Sequence, residues 1–169
     1  MKKIALIAII ALGFISTNSF AQKFGYLNLG NLVVQMPDTE QADNSLKTYQ
    51  EGLIKKGEEM AKAFETSYAL FAKKYQEGGM TPKEAKDAET KLGKERESIT
   101  KYEKEVYQKI GVKRQELMAP ILKKIEIAVN AVGDENNYTF IFDASMSNTI
   151  LFAQDSDNIE TLVKAKLGL

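Results

Sequence analysis

Residues 38–117 carry the feature that most constrains the fold, which is a pair of long helical stretches separated by a single break. The break is Gly78-Gly79-Met80-Thr81-Pro82, where the glycines can end one helix and Pro82 can begin the next. About 40 residues of helix extend ~60 Å, whereas a compact domain of this length has a radius of gyration near ~15 Å. The sequence therefore predicts an antiparallel helical-hairpin arm over residues 38–117, with its tip near 78–82, projecting from a small body.

Apolar or small side chains recur every three or four residues along both helical stretches, which is the spacing of a coiled coil. Gly57 interrupts this stripe in the first stretch, and charged pairs such as Glu58 and Lys62 at i, i+4 fill the other faces. We expect the stripe to form the seam between the two helices, with these side chains in it: Met60, Phe64, Phe71, Tyr75, Ile99, Tyr102 and Val106.

Three further apolar side chains, Tyr68, Leu70 and Tyr107, fall at or beyond the edge of the stripe. Core packing is the simplest role for an aromatic side chain at helical spacing, but these three positions suit it poorly. Exposed apolar groups dispersed among charges would hold an unfolded apolar segment weakly at many points. Tyr68, Leu70 and Tyr107 are therefore the candidate binding residues of the arm.

The body is predicted from the segments on either side of the arm, residues 22–37 and 118–169, with Pro120 marking where arm and body meet. Residues 23–28 and 138–143 are short segments with aromatic side chains, as strands often are. A second strand at 148–153 would form a hairpin with 138–143, before a final short helix. One of Phe140 and Phe142 is expected to face the core.

Three short strands make a marginal sheet with open edges, and pairing with further copies of the chain would remove those edges. The sequence therefore predicts an α+β, mostly helical chain that works as an oligomer. The side chains expected in the assembled body are Phe24, Tyr26, Leu27, Phe140, Ile141, Phe142, Ile150, Leu151 and Phe152.

Residues 1–21 have the pattern of a cleaved bacterial signal peptide: a basic start, an apolar run and small residues before the predicted cleavage site. A membrane anchor is the alternative, but an apolar run of about 12 residues is shorter than the ~20 that span a bilayer. Export to the periplasm is expected. Without Lys2 and Lys3 the chain has 21 basic and 23 acidic side chains, so it has no general basic field for nucleic acid.

Catalytic chemistry is not indicated. The chain has no histidine and no cysteine, which removes the commonest general base, zinc ligands and thiol nucleophile. Acidic neighbours such as Glu58 and Glu59 are far more typical of a solvated helix face than of a catalytic pair. We expect neither an enzyme nor a cofactor or metal site.

The two ends of the chain resemble the Skp/OmpH family of periplasmic chaperones for outer-membrane proteins. The resemblance rests on Phe24-Gly25-Tyr26-Leu27-Asn28 followed by Gly30, on residues 138–144 (Tyr-Thr-Phe-Ile-Phe-Asp-Ala) and on Pro120-Ile121. It implies a jellyfish-like homotrimer in which the strands assemble into a small β-barrel body and three helical arms surround a cavity. It further implies a holdase that keeps unfolded outer-membrane β-barrel proteins from aggregating without ATP.

The charge distribution differs from the strongly basic family pattern. Residues 73–96 at the tip carry seven basic and five acidic side chains, while residues 38–117 as a whole carry 16 of each. Lipopolysaccharide, a ligand proposed for the family, is therefore disfavoured as the main partner. A structural adaptor, whose coiled-coil arm spaces other envelope components without chaperone activity, is the alternative from a different class.

Overall fold

The computed structural model describes residues 22–169, and the predicted signal peptide, residues 1–21, lies outside the described residues. The described part is mostly helical with a small parallel sheet, in agreement with the predicted mostly helical class. Its elements in chain order are β1 (Lys23–Leu27), α1 (Leu29–Gln35), α2 (Pro37–Gln76), α3 (Pro82–Glu135), β2 (Tyr138–Asp143), a 3₁₀ turn (Asp155–Asp157) and α4 (Glu160–Leu167).

The arm is the antiparallel pair of α2 and α3, and the break between them has the chemistry that the sequence indicates. Gly78 takes a left-handed φ of 68° just after α2. Thr81 then caps α3: its hydroxyl oxygen accepts from the Glu84 N–H at 3.3 Å, and its own N–H donates to the Glu84 carboxylate at 2.8 Å. Pro82 occupies the first turn of α3, where its missing N–H costs no hydrogen bond.

Helix α3 has 54 residues and extends ~80 Å, so one continuous helix joins the tip to the body. It passes through Pro120 and ends at Glu135. Pro120 is exposed, and the next residue, Ile121, is the first of the buried side chains that α3 contributes to the body. The proline thus lies at the edge of the body core.

The core of the body lies where α1, α3 and α4 meet. Its fully buried side chains are aliphatic: Leu32, Ile125, Val132, Ile159 and Val163. Helix α4 is fixed to the rest of the body at its start, where the Ile159 N–H donates to the Tyr26 carbonyl at 2.9 Å, and near its end by a Lys166–Glu135 ion pair at 2.6 Å.

The sheet is not the predicted hairpin. β2 pairs in parallel with β1, with Gly25 opposite Ile141. The two strands are neighbours in space, although the whole arm separates them in the sequence. Residues 148–153 form no strand, which contradicts the predicted second strand of the hairpin. Asn148 adopts a left-handed φ of 66° in the turn after β2, and no strand of residues 22–169 pairs with 148–153 despite their apolar composition.

Candidate functional site

The seam of the arm is a regular coiled-coil contact. Its least exposed positions alternate at spacings of four and three, through Leu53, Gly57, Met60 and Phe64 on α2. Of the predicted seam residues, five are half-buried and one is buried; these are Met60, Phe64, Phe71, Ile99, Val106 and the buried Tyr102.

Tyr75 is the exception, because its side chain is 61% exposed. The alternation of four and three residues along the seam places the next seam position after Phe71 at residue 74. Tyr75 therefore lies one residue off the seam, near the end of α2. Its ring instead packs on that of Phe71, with centroids 5.7 Å apart. The prediction that Tyr75 is a seam residue is therefore wrong.

Gly57 does not interrupt the seam but belongs to it. A Cβ on Gly57 would lie 3.6 Å from the ring of Tyr102, and Tyr102 is the only arm residue beyond the body core that is buried in the described chain. The Tyr102 hydroxyl donates to the Leu53 carbonyl at 3.0 Å. The missing side chain at position 57 thus makes room for a tyrosine whose polar group is satisfied inside the arm. The sequence signal that could have indicated this role is the spacing of Gly57, which follows the apolar Leu53 by four residues and precedes Met60 by three.

The seam becomes weaker toward the tip. Glu95 occupies a seam position on α3, and its Oε2 is buried without a hydrogen-bond partner in the described part of the chain. Its other oxygen is 3.8 Å from Lys91 Nζ. Alanines 85 and 88 take the next seam positions toward the tip, so little apolar area is buried there.

The structure places the three candidate binding residues on the surface of the arm, all more than half exposed. It does not bring them together, since Tyr68 and Leu70 are two residues apart on α2 and point about 200° apart. Leu70 follows Tyr49 by three heptads, so both lie on one side of the arm, which we call the Leu70 flank. Tyr49 shares a groove there with Val112 of α3.

Tyr107 lies on the other side. Glu105 and Lys109 line the groove beside Tyr49, and Tyr107 is two residues from each, so its side chain points away from that groove. Ile54, Ala61, Tyr68 and Tyr75 follow one another on α2 at intervals of seven, on the side opposite Leu70. These four residues together with Tyr107 are called the Tyr68 flank.

A second apolar surface lies on the body. Phe24 of β1 and Phe140 and Phe142 of β2 are partly exposed, and their ring centroids lie 6.0 to 6.3 Å apart. We call these three rings the phenylalanine face. Residues two apart on a strand share a face, so neither Phe140 nor Phe142 points into the chain's own core, contrary to expectation. Ile141, between them, packs against that core.

The remaining predicted body residues divide into two groups. Leu27 is buried in the chain's own core, while Tyr26 and Ile150 are half-buried. Leu151 and Phe152 are 88% and 85% exposed. Residues 149–154 line an open groove of about 720 Å³ whose other wall includes Phe24 and Phe142.

Asp143 joins the end of β2 to the start of α1. Its Oδ1 accepts from the backbone N–H groups of Leu29 at 3.1 Å and Ser145 at 2.8 Å, and its Oδ2 accepts from the Ser145 hydroxyl at 2.8 Å. Partial burial acts to raise the pKa of this carboxyl, but the hydrogen bonds from Ser145 and Leu29 outweigh it and lower the pKa below the ordinary value of 3.8.

Within residues 22–169, no helix is long and apolar enough to cross a bilayer. The same residues contain no group of three or more Asp and Glu side chains placed to hold a metal ion.

Comparison with known proteins agrees with the fold. The crystal structure of an OmpH-like outer membrane chaperone from Caulobacter crescentus CB15 superposes with a TM-score of 0.70 at 11% identity, covering 87% of this chain and 84% of that one. A search of curated proteins gives no match. The sequence model of the family described as Outer membrane protein (OmpH-like) matches residues 23–167. The chain belongs to the OmpH-like family.

Proposed function

We propose that the protein is an ATP-independent periplasmic holdase that binds unfolded outer-membrane β-barrel proteins between its arms. The observation that carries this proposal is the arm, a hairpin ~60 Å long whose exposed apolar side chains are dispersed among charges, on a chain of the OmpH-like family. Weak contacts at many points suit a chaperone that must release its client, because binding the unfolded state opposes aggregation by mass action. No catalytic step is part of this function.

The working form in this proposal is a homotrimer whose bodies join in a small β-barrel. The phenylalanine face supports association, because three aromatic rings on one chain are left in contact with water. Residues 148–153 support it too, since Leu151 and Phe152 are almost fully exposed on a segment with strand-forming composition. The number three comes from the family resemblance.

The first test mixes the purified protein, without its first 21 residues, with a urea-unfolded outer-membrane β-barrel protein. The urea is diluted without ATP, light scattering is followed, and the complex is sized. We expect suppressed aggregation and one client held per trimer. An assembly of normal mass that leaves aggregation unchanged would overturn the holdase function and leave the structural adaptor as the explanation of the arm.

A further inference from the structure

We propose that the first eleven residues of α3, Pro82–Leu92, form a displaceable cover on the arm. When this cover segment lifts, four aromatic rings on α2 become accessible to the apolar side chains of an unfolded client. The inference rests on the proposed holdase function and adds the surface that holds the client. We call the four rings the aromatic row; they are those of Phe64, Tyr68, Phe71 and Tyr75.

The aromatic row lies on one face of α2. Its members are separated by four, three and four residues, so their side chains point within about 60° of one another. The rings pack in two pairs within α2, with centroids 6.3 Å apart for Phe64 and Tyr68. They are 5.7 Å apart for Phe71 and Tyr75. Both tyrosines are more than half exposed, while both phenylalanines are half-buried in the seam, so lifting the cover would complete an aromatic surface that already exists in part.

The register of the arm places small or charged side chains opposite the two phenylalanines. Tyr102, packed on the other helix, fixes this register. One heptad toward the tip, Phe64 is level with Glu95. A second heptad brings Phe71 level with Ala88. The Oε2 atom of Glu95 is buried there without a hydrogen-bond partner in the described part of the chain, so this layer of the seam opposes closure.

The cover segment itself has little apolar surface. Six of its eleven residues are charged, and its half-buried positions on the seam are Ala85, Ala88 and Leu92. Glycines weaken the helix on both sides of it. Gly78, with its left-handed φ, precedes the segment, and Gly93 follows it with no neighbouring side chain within 4 Å. The segment can therefore move as a unit and remain solvated when it leaves α2.

The polar contacts between α2 and α3 lie at Tyr102 and toward the body. The Tyr102 hydroxyl donates to the Leu53 carbonyl at 3.0 Å, and an ion pair joins Lys124 to Asp38. Within residues 22–169, the hydrogen bonds and ion pairs of the cover segment are made within α3 or with its cap residue, Thr81. Opening from the tip therefore breaks apolar contacts alone, and the helices stay joined at Tyr102.

An unfolded client is the occupant that gains most contact from the aromatic row. Its leucine, isoleucine or phenylalanine side chains would bury more ring area than the alanines of the cover do. The α3 helix of a second copy would bring the same small and charged side chains, so it gains nothing over the cover already present. The row is ~16 Å long, and an extended segment of about five residues spans it.

The first test locks the cover. Lys74 and Ala85 occupy level seam positions between the row and the tip, and the chain has no cysteine, so Lys74→Cys with Ala85→Cys adds its only thiols. Anisotropy measures binding of a fluorescein-labelled unstructured peptide, rich in aromatic and aliphatic side chains, to the assembled protein. We expect the oxidised form to bind the peptide about tenfold more weakly than the reduced form, because Phe64 and Phe71 stay covered.

The matched control joins the helices on the body side of Tyr102. Leu46→Cys with Lys113→Cys uses half-buried seam positions in the same register. Its oxidation should change the peptide affinity by less than about twofold. Thiol titration verifies both disulfides, and light scattering verifies that the mass of the assembly is unchanged.

Amide hydrogen exchange tests the movement without any substitution. With the peptide bound to the assembled protein, residues 82–92 should exchange faster than in the free protein, because their seam contacts are lost. Residues 64–75 should exchange no faster, since α2 stays helical under the peptide. Binding to the closed arm would instead leave exchange at 82–92 unchanged or slower.

A third test strengthens the closed seam. Glu95→Leu replaces the buried carboxylate by an apolar side chain, which should hold the cover in place and weaken peptide binding about threefold. Glu97→Leu is the matched control, because position 97 is exposed on the same helix and lies off the seam. It should leave the affinity within about twofold of the unsubstituted protein.

The outcomes separate this inference from the proposed function. Equal affinities of the oxidised and reduced tip pair, or unchanged exchange at 82–92 with peptide bound, would overturn the inference and leave a protein that still suppresses client aggregation a holdase. Equal losses from the two disulfides would also overturn it. Faster exchange at 82–92 at higher protein concentration, without peptide, would assign the rings to contact between copies and overturn it too. Failure to protect any client would instead overturn the proposed function.

Discussion

The arm and the body bury their apolar side chains in opposite ways. Two helices of the arm cover each other along a thin seam, where Tyr102 is buried and most other contact residues remain half-exposed. The body has a compact aliphatic core within one chain, yet it leaves the phenylalanine face and residues 151–152 exposed. The arm thus forms its apolar contact within one chain. The body buries its aliphatic core within one chain but leaves an aromatic surface on one side exposed to solvent.

In the proposed function, this difference assigns contact between copies to the body and client binding to the arm. A large aromatic surface on a tightly packed body suits a permanent contact between copies, because little has to be ordered when it forms. Small apolar groups spread along a thin arm suit contacts that form and break. The seam also loses apolar contacts toward the tip, where Glu95 and two alanines replace larger apolar side chains. We therefore expect local opening to begin at the tip and the body to unfold last.

The largest expected effect comes from the phenylalanine face. Phe140→Asp combined with Phe142→Asp should abolish association, because carboxylates would be buried in the contact between copies. The chain itself should remain folded, since neither ring lies in its own core. Size-exclusion chromatography with light scattering measures the mass, and far-UV circular dichroism measures the helix content.

The arm offers the control for that experiment. Leu70→Asp combined with Val112→Asp adds the same charge at exposed apolar positions of the arm and should leave the mass unchanged. Retained association of the Phe140 and Phe142 variant would show that the phenylalanine face is not the contact between copies. Loss of helix content in it would show that the two rings stabilise the single chain.

The next largest effect compares burial in the two regions. Ile125 is fully buried in the body, and Ile125→Ala should lower the free energy of unfolding by about 2–5 kcal/mol. Leu92 in the distal seam is only half-buried, so Leu92→Ala should cost about 1–2 kcal/mol. Urea unfolding followed by circular dichroism measures both. Equal losses of unfolding free energy would contradict the expected decrease in burial from the body to the tip of the arm.

Sequence reasoning predicted the arm well because its signals are local. Helix periodicity, the Gly78-Gly79 break and Pro82 at the start of the next helix each act over a few residues, and the structure has all three. The error at Tyr75 arose because spacings of three and four leave two candidate positions per turn, and only the partner helix decides between them. Gly57 was misjudged for the same reason, since its role depends on Tyr102 across the seam.

The body was predicted less well because its contacts are distant in sequence. β1 and β2 are separated by the entire arm, so no turn signal indicates that they pair in parallel. Residues 148–153 have strand-forming composition. Such a composition indicates a preference for a half-buried surface, but it does not identify the strand with which the segment would pair. The division of the exposed arm residues into two flanks also required the register between α2 and α3, which the Tyr102–Leu53 hydrogen bond fixes.

A smaller effect tests the buried hydroxyl in the arm. Tyr102→Phe removes the hydrogen bond to the Leu53 carbonyl and should lower the free energy of unfolding by about 1 kcal/mol. Tyr107→Phe is the matched control, because that side chain is 80% exposed and its loss should be close to zero. Urea unfolding curves for the two variants provide the comparison. Equal stabilities would show that water replaces the carbonyl without cost.

The smallest effect concerns the carboxylate that joins β2 to α1. The pKa of Asp143 is lowered on folding below the ordinary value of 3.8, so its ionised form stabilises the body above that pH. This contribution disappears as the pH falls through the folded pKa. Asp143→Asn should lose about 1 kcal/mol or less at pH 7, because the site is partly exposed. The difference from the unsubstituted protein should shrink below pH 4 in urea unfolding at a series of pH values.

Glu84 at the arm tip provides the comparison, since the hydrogen bonds from Thr81 also lower its pKa. Glu84→Gln should show the same direction of pH dependence through fraying of the tip, which amide hydrogen exchange at residues 81–86 detects. Asp143→Asn should instead increase exchange at the start of α1, where the Leu29 N–H loses its charged acceptor. If both variants changed exchange in the same region, the arm and the body would not be separate units of stability, and the division between assembly and capture would lose its physical basis.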